Sequence, residues 1–129
     1  MISPLAALLS CTLISVTDGD TFRAACPAPV IVRIADIDAP ERRTCPTLAA
    51  RSATTLGALL TGTITLQPLY TDRYHRTVAL VSVDGQDVGT AMLASQSAYP
   101  WPHNAKGRAL TKRPDTCAVM HPPKRPEGL

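Results

Sequence analysis

Through the first third of the chain, polar and apolar positions alternate or give way to short β-branched blocks, the pattern of strands. Residues 11–16 read C-T-L-I-S-V and end at the turn pair Asp18-Gly19, and residues 21–26 can return as a partner strand. Pro27 and Pro29 mark a loop. Residues 30–37, V-I-V-R-I-A-D-I, are dense in side chains that suit a pleated surface and predict a third strand, stopped by Pro40. The period then lengthens. Between about residues 46 and 60, Ala49, Ala53, Leu56 and Leu60 recur at helical spacing, flanked by Leu48 and Leu59. Pro46 sits near the first turn and Gly62 just past the end, where helices favour them. Residues 63–70 and 77–83 return to the strand pattern, and Asp84-Gly85 gives a tight turn. A second short helix over residues 88–97 places Val88, Ala91 and Met92 on one face.

Three strands, a helix, two strands and a helix predict a mainly β fold with helices (α+β). The expected form is a five-stranded barrel of the oligonucleotide-binding type (OB-fold) with two to three helices. Such barrels often bind oligonucleotides, but a fold alone assigns no function. The expected organisation is an apolar N-terminal segment (1–10), the barrel domain (11–101) and a basic, Pro-rich tail (102–129).

A length of 129 residues is enough for one core. With only five aromatic residues, that core must be built from Val, Ile, Leu and Ala. The net charge of +3 hides a split. Residues 1–105 hold seven Lys/Arg against eight Asp/Glu, whereas residues 106–129 hold six against two. A near-neutral body with a basic tail suits a polyanionic partner, and equally a solvated tail. The apolar run at residues 2–9 has no Lys or Arg before it and is too short to span a bilayer. No membrane span is expected, and the chain is expected to be a monomer. Compartment stays open, leaning to a secreted or periplasmic setting. The four cysteines, Cys11, Cys26, Cys45 and Cys117, make no C-x-x-C pair, which argues against zinc and leaves three disulfide connectivities open.

The chemistry begins with the acids. Asp18 and Asp20 flank Gly19, and Asp36, Asp38 and Glu41 end the strongest strand, so half of the ten acidic residues fall at two strand ends. If those ends meet, hard carboxylate oxygens converge as Ca²⁺ or Mg²⁺ requires; Asp18 alone reads simply as a turn residue. Arg33 interrupts an apolar strand, where an unpaired guanidinium is costly. Either an ion pair with Asp36 or Asp38 explains it, or a clamp on phosphate, whose oxygens its fork of donors matches. Strict alternation would point Arg33 and Asp38 to opposite faces, so their convergence needs a bend or bulge before Pro40. The segment Asp72-Arg73-Tyr74-His75-Arg76 is, by itself, an ordinary charged turn.

Together the three segments D-G-D-T-F (18–22), V-R-I-A-D-I-D-A-P-E (32–41) and D-R-Y-H-R (72–76) resemble the staphylococcal-nuclease-like, or thermonuclease, family, from about Val16 to Ala98. The resemblance implies a Ca²⁺-dependent nuclease that hydrolyses DNA and RNA and leaves 3′-phosphates. It implies Asp20, Asp38 and the Ala39 carbonyl as metal ligands. It gives Glu41 the role of base on the attacking water, and Arg33 and Arg76 the grip on the scissile phosphate. Arg73 and Tyr74 match positions that contact a neighbouring phosphate. One departure is His75, where the family motif normally has Gly; if that position needs positive φ, His carries a modest cost. A Cys45–Cys117 disulfide, pinning the tail to the loop after Glu41, is a further expectation. The alternative to a nuclease is a non-catalytic nucleic-acid-binding module, which has no need of three carboxylates beside a polyanion. A disulfide-stabilised structural domain would explain the cysteines but not the acids and arginines.

Overall fold

A parallel pairing between the third and sixth strands closes the barrel. The computed structural model describes residues 7–101. Its strands are β1 (Leu9–Asp18), β2 (Thr21–Ala25), β3 (Pro29–Ile34), β4 (Ile37–Asp38), β5 (Ile64–Thr71), β6 (Thr77–Val83), β7 (Gln86–Asp87) and β8 (Tyr99–Pro100). Helix α1 (Pro46–Leu59) lies between β4 and β5, and α2 (Val88–Ala94) follows β7. Antiparallel pairing runs β3-β2-β1-β5-β6. The ring closes through Val32↔Thr77, Arg33↔Val78 and Ile34↔Ala79. This is the expected five-stranded OB-type barrel, and the described residues contain two helices. None of them is long and apolar enough to cross a membrane.

The interior is aliphatic, as the scarcity of aromatics requires. Val32, Ile34, Ile37, Leu56, Ile64, Leu66, Val81 and Met92 are buried, and Phe22 is the one aromatic ring fully buried among the described residues. Asp84 (φ 52°) and Gly85 (φ 80°) both take the left-handed conformation in the tight β6–β7 turn. The Asp87 carboxylate then caps α2, accepting from the Thr90 N–H at 2.8 Å. Helix α2 ends at Ala94, three residues before the expected end; Gln96 is already at φ 60°.

On α1 the inward face differs from the apolar pattern. Ala49 and Leu56 are buried as expected, but Ser52 is buried in place of Ala53, which is half-buried. The cause is the β1–β2 turn. Gly19 lies so close that a Cβ there would sit 1.7 Å from the Ser52 Oγ. The Ser52 hydroxyl in turn donates to the Ser97 carbonyl at 2.6 Å. Only glycine lets the acidic turn rest on the helix.

A disulfide joins Cys11 in β1 to Cys26 just beyond β2, with the Cα atoms 4.3 Å apart. Cys45 is also disulfide-bonded. Cys117, its expected partner, lies outside the described residues, as do most of the apolar N-terminal segment and the whole 102–129 tail.

Candidate active site

Asp20 ties two turns together. Only 7% exposed, it accepts from the Thr21 hydroxyl on Oδ1 at 2.9 Å and from the Ala39 N–H on Oδ2 at 2.8 Å. Its own N–H donates to Asp18 Oδ1 at 3.2 Å. Burial pushes Asp20 towards its neutral form, but the hydrogen bond shared with Asp18, the Arg33 charge, the Ala39 N–H and the Thr21 hydroxyl outweigh it, so its carboxyl lies below the usual range. Asp18 goes the other way. Burial, the hydrogen bond with Asp20 and the charge on Asp20 raise it from 3.8 to about 7.

Arg33 and Asp38 do converge, and the bend that this requires is at Asp36. That residue has φ 72°, a left-handed turn between β3 and β4 that Asp tolerates better than most side chains. The Arg33 guanidinium fills the inside of the turn. Its Nη1 donates to the Ile34 and Ile37 carbonyls at 2.9 and 2.8 Å and stands 3.4 Å from Asp20 Oδ2. Its Nη2 is 3.9 Å from Asp38 Oδ1. The ion-pair partners are therefore Asp20 and Asp38; Asp36 is exposed. Nη2 and Nε make no hydrogen bond among the described residues, leaving donors for a ligand.

Arg76 is positioned by Asp72. One Asp72 oxygen accepts from the Tyr74 and Arg76 N–H groups at 2.9 Å each, and the other from Arg76 Nε at 2.8 Å. Desolvation opposes ionisation of Asp72, yet these bonds and the Arg76 charge hold its carboxyl below the usual range. His75 stands at φ 66°, so its position does need a positive φ. The turn closes all the same, with the His75 N–H donating to the Asp72 carbonyl at 3.0 Å. The Arg73 and Arg76 guanidinium carbons lie 5.1 and 5.3 Å from the centre of the Tyr74 ring, within cation–π range.

These segments meet at one pocket of about 350 Å³. Asp20, Arg33, Asp38, Ala39, Glu41 and Arg76 all line it. Arg73 and Tyr74 do not; they occupy the exposed turn beside it. Two charged lining residues lie outside the site expected from sequence, Asp18 and Arg42. Asp18 carried a signal in its i, i+2 spacing from Asp20, hidden by its role as a turn former. Arg42, whose guanidinium donates to the Thr17 carbonyl, carried none beyond its place next to Glu41.

The acidic donors are all hard oxygens, with no Cys or His in the lining, which fits Ca²⁺ in kind. Burial, the hydrogen bond with Asp20 and the Asp20 charge raise Asp18, and a cation would offset the last of these. Among the described residues no three His, Cys, Asp or Glu are grouped closely enough to hold an ion.

Fold and pocket together define the class: an OB-type barrel carrying acids and arginines in a cleft at its strand ends. Residues 31–113 match the family model described as staphylococcal nuclease homologue, and the chain belongs to that family of nucleases and nucleic-acid-binding domains. The matched stretch includes Arg33, Asp38, Glu41 and Arg76, whereas Asp18 and Asp20 precede it. No curated protein matches the chain.

Proposed function

We propose that this chain is a Ca²⁺-dependent endonuclease that hydrolyses phosphodiester bonds in DNA and RNA and leaves 3′-phosphates. The observation that carries this reading is the single pocket in which Arg33 and Arg76 face Asp20, Asp38 and Glu41. A phosphodiester anion repels nucleophiles, and its transition state gathers more negative charge. Arg33 and Arg76 counter that charge, and both are held before substrate arrives, one by carbonyls and the other by Asp72. A bound Ca²⁺ would supply further charge neutralisation through Asp20, Asp38 and the Ala39 carbonyl. Glu41 takes a proton from water as the water oxygen bonds to phosphorus. The phosphorus–O5′ bond breaks, and the departing oxygen takes up a proton. Arg73 and Tyr74, outside the pocket, extend the grip to an adjacent phosphate.

A non-catalytic binding module is the competing reading, favoured by the loose spacing of the acids. Incubating DNA and RNA with the protein in Ca²⁺, and in chelator, separates the two. The nuclease reading requires strand scission that chelator stops; binding without scission supports the module.

A further inference from the structure

Three arginines line the pocket, and hydrolysis as proposed uses two of them. Arg33 and Arg76 also line a neighbouring cavity of about 300 Å³, which sets both towards one wall of the pocket. Arg42 has no share in that cavity. Its guanidinium reaches across to the end of β1, where Nη2 donates to the Thr17 carbonyl, one residue before Asp18. Its positive charge acts on the Asp18 carboxyl there. Arg42 thus stands at the Asp18 side of the pocket, away from the cavity that the other two arginines share.

Arg42 is also held differently. Arg33 lies within ion-pair distance of Asp20 and Asp38, and Arg76 of Asp72. Among the described residues Arg42 has no carboxylate at that distance. A neutral carbonyl fixes its direction and leaves its charge uncancelled. The residue is exposed, so a ligand can reach its remaining donors. Arginine carries five N–H donors in a planar fork that matches phosphate oxygens. A polynucleotide brings a further phosphate on each side of the scissile one. Arg73 and Tyr74, next to Arg76, serve one side; Arg42 offers a cation on the other.

We propose that Arg42 binds the phosphate flanking the scissile one on the side away from Tyr74, so that the protein grips three consecutive phosphates of a strand. The proposal rests on the nuclease reading, which sets the scissile phosphate on Arg33 and Arg76. Arg42 is then a substrate-binding residue and neither acid nor base, since its guanidinium keeps its proton. Its contact is to the backbone and carries no base preference. Each phosphate that a cation neutralises releases a counterion, so the contact shows in the salt dependence of binding.

Binding is read in Ca²⁺ with the full chain carrying Glu41→Gln, so that the strand stays intact. The probe is a labelled oligothymidylate, followed by anisotropy across a range of KCl concentrations. Adding Arg42→Ala should weaken binding about tenfold and make the slope of log K against log salt shallower by about 0.7. Arg42→Lys keeps the charge and should keep the slope. Arg51→Ala removes an exposed arginine of α1 that lines neither cavity, and should change neither quantity. The dinucleotide TpT, with a single phosphate, should compete equally well with and without Arg42. In the otherwise wild-type chain, Arg42→Ala should raise KM for the oligothymidylate about tenfold and leave kcat within about twofold. An unchanged slope in Arg42→Ala, no binding by the parent chain, or an equal loss of TpT binding would each overturn the proposal. So would a fall in kcat with KM unchanged. Uncut strands with wild type would refute the nuclease reading alone, and the salt series would still decide the phosphate contact.

Discussion

The Ala39 N–H donates to Asp20 Oδ2 at 2.8 Å, joining residues nineteen positions apart and locking the β1–β2 turn to the end of β4. Asp20 is thus both a candidate metal ligand and part of the frame. Asp38 is half-buried, with Arg33 Nη2 3.9 Å from its Oδ1. Asp20→Ala is therefore expected to cost about 1–3 kcal/mol of stability, because it leaves the buried Ala39 N–H without its acceptor and removes one ion-pair partner of Arg33. Asp38→Ala removes the other carboxylate that faces Arg33 in the pocket. Both should lose activity. Urea unfolding of Asp20→Ala and the nuclease rates of both variants check these outcomes.

How far the sequence reveals this site depends on the kind of feature. The strand at residues 30–37 and the pairing of acids with arginines are visible because β-branched density and an arginine within it are local signals. The need for a bend before Pro40 follows from the alternation, but its place at Asp36 does not, since no glycine marks the left-handed residue. The burial of Ser52 instead of Ala53 depends on contact with Gly19, distant in sequence. Among the disulfides, Cys11–Cys26 follows from the register of β1 on β2, where Thr12 pairs with Ala25, and spacing alone could not select it.

His75→Gly should stabilise the protein by about 0.5–1 kcal/mol, because glycine meets no Cβ penalty at φ 66°. Arg76 is held by Asp72 and not by His75, so nuclease activity should be retained. Thermal melting and a rate assay on the same sample test this.

The Asp72 carboxyl is lowered in the folded protein, so its contribution to stability is present above its ordinary value of 3.8 and is lost as pH falls through the folded value. Wild type should therefore lose stability relative to Asp72→Asn on acidification below about pH 4. At neutral pH the variant should be less stable by about 1 kcal/mol. Unfolding curves across pH 2–7 show whether the two converge in acid.

Reducing the Cys11–Cys26 bond should cost roughly 3 kcal/mol, the loop-closure entropy of its 15-residue separation. Non-reducing peptide mapping should recover that bridge together with Cys45–Cys117. Finding Cys45 as a free thiol would reject the second pairing.

The central claim is that the acids and arginines of one pocket cut a phosphodiester bond. The most direct test is the single-turnover cleavage rate of a single-stranded oligonucleotide in Ca²⁺ for wild type, Glu41→Gln and Arg76→Ala. We expect 3′-phosphate products from wild type, none in chelator, and rates at least about a hundredfold lower in each variant. Intact substrate with folded wild type in Ca²⁺, or variants as fast as wild type, would contradict the account.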